Sequence, residues 1–244
     1  MKMKLVVTEN YEESSRILAD MVEQVIAEKK DAVLGLPTGS SPVGMYHYLV
    51  QDYQEGKVDF SEVHTINLDE YTGLEREHVQ SFGYFMDQHL FSKVNVPAEN
   101  IMLIDGTGSA AEQIDRYDRF LDDNTIDILV VGIGNNGHIG FNEPDTVFHA
   151  QTHLTELEPE TIKANARFFE KESDVPRSAI TMGMSAILKA RKVVLIATGE
   201  AKAGAIERLF MDDTIDPMFP CSILKGCKDA VVVVDRDLYG RTKL

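Results

Sequence analysis

Ile126-Asp127-Ile128-Leu129-Val130-Val131-Gly132-Ile133-Gly134-Asn135-Asn136-Gly137-His138-Ile139-Gly140-Phe141-Asn142-Glu143-Pro144 sets an apolar run against a stretch rich in glycine and asparagine. A short continuous apolar run reads as a strand buried on both faces, the kind found in parallel sheets. The glycines that follow allow sharp turns and close approach of backbone to a ligand. His138 and Glu143, five positions apart in irregular chain just past a strand, have the makings of an acid–base pair. Gly132, Gly134 and Gly137 also spell a literal G-x-G-x-x-G. A dinucleotide fingerprint must open a helix, whose N-terminus holds the pyrophosphate. Here Gly140 and Pro144 break any helix, so the triplet is not read as a cofactor site.

The same pattern recurs outward from this stretch. Lys4–Val7 reads as a strand, and Asn10 is placed to cap a helix with apolar positions Ile17, Leu18, Met21, Val22, Val25 and Ile26. Ala32–Leu36 is a second buried strand, followed by the loop Pro37–Pro42 and a helix to about Gln54. Val63–Leu68 reads as a strand ending in Asp69-Glu70-Tyr71. Helices are expected over Ser81–Lys93, Ser109–Leu121, Pro159–Phe169 and Ser185–Ala190, with a further one running from Thr198-Gly199-Glu200 to about Met211. Strands are expected over Ile101–Ile104, Thr152–Leu157, Lys192–Ala197 and Ala230–Val234. This alternation implies an α/β fold: a doubly wound, mostly parallel sheet flanked by helices, without a dinucleotide site. No linker or internal repeat divides the chain, so residues 1–244 read as a single domain. Ligands of such sheets bind beyond the carboxyl ends of the strands, where strand order reverses. Thr38–Ser41, Asp69–Tyr71, Gly132–Glu143 and Thr198–Lys202 all fall at strand ends.

Composition narrows the function. Lys+Arg 24 against Asp+Glu 40 gives a formal net charge of −16, which argues against a nucleic-acid or anionic-membrane partner. An anionic small substrate must then be held by local donors, because the overall field repels it. Cys221 and Cys227 do not form a disulfide framework and miss the C-x-x-C spacing, so they read as inert thiols. There is no 18-residue apolar run, and Met3–Val7 is strand-like rather than a signal peptide. A cytoplasmic location is expected.

Thr38-Gly39-Ser40-Ser41, between a buried strand and a helix, offers backbone N–H groups, hydroxyls and a helix N-terminus to a phosphate; the plain alternative is a turn with a capping serine. It is not a P-loop, since no Gly-Lys-Ser/Thr follows. Asp69 and Glu70 are either a solvated loop pair or include a desolvated carboxyl of raised pKa, as a general base requires. Asn136 can orient the His138 ring, and Glu143 can hold its protonated form. The stretch has no serine or cysteine nucleophile and no second histidine at ligand spacing, so no metal is expected. Arg167 and Lys202, basic residues in an acidic protein, are candidates to complete a phosphate site.

Leu34–Pro42, Asn67–Tyr71 and Gly134–Pro144, with Ala164–Phe169, Ala179–Gly183 and Gly199–Ala203, resemble the glucosamine-6-phosphate deaminase family, in order and over nearly the whole chain. The resemblance implies a hydrolase acting on a C–N bond. Glucosamine 6-phosphate and water would become fructose 6-phosphate and ammonium in amino-sugar catabolism, with no metal or organic cofactor. It implies that His138 opens the pyranose ring, with Glu143 and Asn136 holding and tuning it. Asp69 would carry a proton between C2 and C1 through an enolamine. Thr38, Gly39, Ser40, Ser41, Arg167 and Lys202 would bind the phosphate.

Two departures qualify this. Some members carry aspartate where this chain has Asn136; a neutral partner leaves Glu143 as the main counter-charge of His138. Hexameric members activated by N-acetylglucosamine 6-phosphate use a serine pair after the Glu-Pro, then an arginine and a lysine, where this chain has Thr146, Val147, His153 and Thr155, and they have a longer C-terminal tail than one stopping at Leu244. An unregulated enzyme is expected, with a monomer favoured. The rival readings are a 6-phosphogluconolactonase-like hydrolase and a non-catalytic sugar-phosphate-sensing module. The missing DNA-binding segment and the acid–base residues weigh against the second.

Overall fold

The computed structural model describes residues 3–244, without the side chains of Glu160, Ala164 and Phe168. The described residues form ten strands: β1 (Lys4–Thr8), β2 (Val33–Leu36), β3 (His64–Asn67), β4 (Asp69–Tyr71), β5 (Ile101–Met102), β6 (Ile128–Val131), β7 (His153–Glu156), β8 (Ser178–Thr181), β9 (Lys192–Ala197) and β10 (Ala230–Asp235). The helices are α1 (Tyr11–Glu28), α2 (Val43–Gln54), α3 (Phe82–Met86), α4 (Ala110–Asp123), α5 (Pro159–Asn165), α6 (Met184–Lys189), α7 (Ala203–Met211) and α8 (Arg236–Tyr239).

Seven strands form a wholly parallel sheet in the order β1-β10-β9-β6-β2-β3-β5. Its apolar runs divide by period-2 alternation between two cores. Leu129 and Val131 of β6, Val193 and Leu195 of β9, and Val232 and Val234 of β10 pack on one face with Tyr117, Ile187, Ile206 and Leu238. Ile128, Val130, Val194, Ile196, Val231 and Val233 pack on the other with Leu18, Val22, Met45, Leu49 and Leu90. Helices therefore cover both faces, as a doubly wound sheet requires. Asn10 caps α1 by accepting from Glu13 N at 2.9 Å.

Strand order reverses between β2 and β6. From β2 the chain proceeds outward through β3 to β5; from β6 it proceeds the opposite way through β9 and β10. The loops leaving these two neighbours diverge and open a crevice at their carboxyl ends. Asp127 fixes the two strands against each other. Its Oδ2 accepts from Val33 N at 2.9 Å, while its own N–H donates to Val33 O at 2.8 Å. Lys29 at 2.9 Å and Arg191 at 3.2 Å neutralise this buried carboxylate.

Three expectations need correction. Asp69–Tyr71, read as the end of the Val63–Leu68 strand, is a separate strand: it forms β4, which pairs antiparallel with β8, and β8 pairs antiparallel with β7, in a second, three-stranded sheet. The chain leaves the parallel sheet at Leu68, whose carbonyl accepts from Met182 N at 2.7 Å, so one residue separates two sheets. The helix expected over Ser81–Lys93 is α3 followed by a π-turn at Asp87–Phe91. Arg167 lies not late in a helix but in a one-turn 3-10 segment, Ala166–Phe168, after α5. No described helix is long and apolar enough to cross a membrane.

Asp127→Ala leaves Val33 N without its buried acceptor, removes the carboxylate facing Arg191, and leaves Lys29 with only Asp31 at 3.5 Å. The expected loss is about 2 kcal/mol, read as a lower urea midpoint at unchanged slope. A midpoint equal to that of the parent would show that the clamp does not hold β2 to β6.

Candidate active site

The crevice at the β2–β6 switch point is a cleft of about 320 Å³. Thr38, Gly39, Ser40, Ser41, Asp69, Asn136, His138, Arg167 and Lys202 all line it, from five separate segments of the chain. Glu143 does not; it stands behind His138, with only 6% of its side chain exposed.

One wall of the cleft begins with the loop after β2. Tyr46 Oη donates to Pro37 O at 2.5 Å, and Asn67 Nδ2 donates to Leu36 O at 2.9 Å, so the start of the loop is anchored from both α2 and β3. Tyr11 Oη donates to Ser40 O at 3.2 Å and accepts from Gly44 N at 2.8 Å, bracing the far end. The N-terminus of α2 has no side-chain cap and opens toward this loop, which favours an anion. Burial lowers the Lys202 pKa, and the neighbouring Arg167 charge lowers it further. Two cations close enough to repel each other beside a helix N-terminus call for an anion between them.

On the opposite wall, His138 Nδ1 lies 3.1 Å from Glu143 Oε2. Burial pushes the Glu143 carboxyl up, but the hydrogen bond and charge of His138, with bonds from Thr161 and Asn136, outweigh it and hold the group below its usual value. An ionised Glu143 therefore accepts Nδ1–H, leaving Nε2 as the ring nitrogen that exchanges a proton with a ligand. Asn136 does not touch the ring. Its Oδ1 accepts from His138 N at 3.1 Å and its Nδ2 donates to Glu143 Oε2 at 2.7 Å. The expectation that Asn136 orients the imidazole is thus corrected to an indirect role through Glu143 and the turn.

Asp69 is 8% exposed, and burial first, then the Glu70 charge, raise its pKa from 3.8 to about 8. Adjacent strand residues point to opposite faces. Glu70 points away from the cleft and accepts N–H bonds from Tyr71 at 2.9 Å, Phe82 at 2.8 Å and Gly83 at 3.0 Å. Burial raises its pKa to about 7 even though those bonds oppose the shift. The two carboxylates, equivalent in sequence, are a cleft acid and a structural anchor for α3.

Two glycines are dictated by these side chains. A Cβ on Gly134 would stand 2.4 Å from the His138 ring. Gly140 has φ +58°, and a Cβ there would meet Asp69 Oδ2 and Thr181 Oγ1 at 3.0 Å. No helix follows Gly137; the stretch has only an isolated bridge, Ile139 with Asn142.

Sequence reasoning missed two polar contacts. The Thr161 hydroxyl donates to Glu143 Oε1, and Asn165 Nδ2 donates to Tyr71 Oη at 2.8 Å. Both residues line the cleft, as do Gln80, Phe82, Phe141 and Phe169. Their only signal was the spacing of Thr161 and Asn165 on one face of α5. Among the described residues, no group of three or more His, Cys, Asp or Glu side chains is placed to hold a metal ion.

The family model described as glucosamine-6-phosphate isomerases/6-phosphogluconolactonase matches residues 8–233. The chain belongs to this family. A glucosamine-6-phosphate deaminase of Clostridium perfringens is 45% identical over 237 residues, covering 96% of this chain and 98% of that one. One of Clostridium botulinum is 42% identical over 244 residues, covering 99% and 100%. The solved structure of a monomeric glucosamine-6-phosphate deaminase superposes with TM-score 0.94 at 36% identity, covering 98% of this chain and all of that one. A 6-phosphogluconolactonase from Thermotoga maritima, at 18% identity and TM-score 0.77 over 96% of this chain and 100% of that one, shares the fold. Within the family fold, the cleft just described occupies the strand-order switch point.

An acid whose folded pKa is raised contributes stability below its unfolded value and loses it as pH rises toward the folded one. For Asp69 that window runs from 3.8 to about 8. Asp69→Asn, which cannot ionise, is expected to be more stable than the parent by on the order of 2 kcal/mol at pH 8, with little difference near pH 4. Urea midpoints across this range check it; a gap that does not widen with pH would refute the burial of an ionisable group at this position.

Proposed function

We propose that the chain converts glucosamine 6-phosphate and water to fructose 6-phosphate and ammonium, with residues 1–244 acting as one catalytic domain; Met1 and Lys2 lie outside the described residues. One observation carries this reading: a buried carboxyl of raised pKa, a histidine–glutamate pair and an anion cradle share one cleft. The phosphate seats on Thr38–Ser41, the start of α2, Arg167 and Lys202. His138 Nε2 gives a proton to the ring oxygen as the C1–O5 bond breaks and the anomeric hydroxyl gives up its proton to water, producing the open-chain aldehyde, and Glu143 stabilises the imidazolium form whenever the ring holds both protons.

Asp69 then takes the proton from C2, forming the C1–C2 double bond of the enolamine, and returns it to C1. C1 is reduced to the alcohol level while C2 is oxidised to an iminium. Water adds at C2, the C–N bond breaks, ammonium leaves and the ketone remains. A carboxyl with pKa about 8 is mostly protonated near neutrality in the free protein. The ammonium group of the substrate, adjacent to C2, favours the ionised form by Coulomb attraction. The substrate thereby switches on its own base, and a sugar phosphate without the amine does so less well.

The second cleft, about 310 Å³, bears on regulation. Val147, His153 and Thr155 line it with Asp145, Glu143, Glu156 and Glu158, and no lysine or arginine is among its lining residues. Such a lining repels a second sugar phosphate. With the monomeric relative, this supports an unregulated, monomeric enzyme whose partner is a small sugar phosphate rather than nucleic acid.

Ammonium release from glucosamine 6-phosphate is expected for the parent, with losses of about 10²-fold or more in kcat for Asp69→Asn and His138→Gln. Product formed in deuterium oxide carries deuterium at C1; lactone hydrolysis gives no such label. Equal rates for the three proteins would remove both residues from the mechanism. Rate curves are expected to be hyperbolic and unmoved by N-acetylglucosamine 6-phosphate, and sigmoidal curves sharpened by it would overturn the unregulated reading.

A further inference from the structure

Glu143 makes three side-chain hydrogen bonds, unevenly divided. His138 Nδ1 at 3.1 Å and Asn136 Nδ2 at 2.7 Å both lie on Oε2. Oε1 accepts from the Thr161 hydroxyl. Two donors on one oxygen leave the carboxylate free to turn about Cγ–Cδ, whereas a donor on the second oxygen fixes its plane. The Glu143 side chain is only 6% exposed and Thr161 is buried, so bulk water is a poor substitute for that hydroxyl.

Thr161 belongs to α5, and one turn later Asn165 donates to Tyr71 Oη at 2.8 Å. Tyr71 lies on β4 two residues after Asp69. Positions i and i+4 share a helix face. A single turn of α5 is therefore bonded to the loop that carries His138 and to the strand that carries Asp69, and it runs directly into Arg167 at the phosphate side.

We propose that Thr161 is a positioning residue: its hydroxyl fixes the plane of the Glu143 carboxylate, which keeps Oε2 on His138 Nδ1 and aims Nε2 at the ring oxygen of the substrate. The proposal rests on the reaction proposed above and deepens its site. Thr161 touches no reacting atom in this scheme. Its effect passes through Glu143 to His138, on the proton-transfer side, while phosphate affinity stays with the β2 loop, Arg167 and Lys202.

The test is Thr161→Val, which keeps the branched shape and removes the hydroxyl, beside Thr161→Ser, which keeps the hydroxyl. The expected result for the valine variant is a kcat lower by about tenfold or more with KM within about twofold, and for the serine variant a kcat near the parent value. An unchanged kcat, a loss confined to KM, or a serine variant as impaired as the valine variant would overturn the proposal. The His138 ring nitrogens, followed by NMR in ¹⁵N-histidine protein and assigned with His138→Gln, give a reading without substrate. The Nδ1 signal is expected to shift in the valine variant and return in the serine variant, and identical ring signals in all three proteins would also overturn the proposal. If the parent releases no ammonium, the reaction reading fails by itself, and the ring signals still decide the role of Thr161.

Discussion

The reciprocal pair between Asp127 and Val33 is the constraint on which the rest of the structure depends. A backbone N–H to carbonyl bond one way and a backbone N–H to carboxylate bond the other lock the residue just before β6 to the first residue of β2. In a parallel sheet a one-residue slip would exchange the two faces of every strand beyond it. It would also move the β6 loop relative to the β2 loop by about 3.3 Å, more than a hydrogen bond tolerates. Gly35 tightens the same junction: a Cβ there would lie 2.3 Å from Leu129 Cδ1, so β2 and β6 approach through a gap only glycine leaves. The cleft is thus set by events at the amino ends of two strands, far from its own side chains.

Charge is arranged against the overall field. On the proposed reading, a chain of net charge −16 repels a phosphate until it reaches the loop after β2. There the attraction comes from backbone N–H groups and two cations rather than a broad basic surface. The acid–base groups are separated by environment instead of identity. Glu143 is held ionised by its donors; Asp69 has burial and a neighbouring carboxylate against it. Two carboxyls pushed in opposite directions within one site is the pattern expected of an acid–base pair of roles.

Much of this was legible in the sequence. Runs such as Ile128–Val131 and Val231–Val234 are apolar on both faces, which only a covered parallel sheet uses, and Lys192–Ala197 was bounded to the residue. The strand-end loops were legible because glycine, serine and proline mark them locally. Asp69–Tyr71 was not legible as a strand: its partner is β8, more than a hundred residues away, and its sequence is polar and three residues long. The division of labour between Asp69 and Glu70 was hidden for the same reason, since the burial of one and the N–H partners of the other come from distant chain. Thr161 escaped notice because a helix-start threonine is ordinary until its acceptor is known.

Asn136 shows how a departure from the family pattern can be consistent with the site. An aspartate there would set a carboxylate beside Glu143 Oε2, and one of the two would have to take a proton or turn away. An asparagine instead donates Nδ2–H to that oxygen and accepts from His138 N with its own. The amide replaces a repulsion with a hydrogen bond and leaves a single anion behind the imidazole. Glu143 then carries alone a charge that an aspartate would share, so the orientation of its carboxylate matters more here than with two anions. That raises the importance of whatever fixes the other oxygen, and the group placed to do so is the hydroxyl at the start of α5.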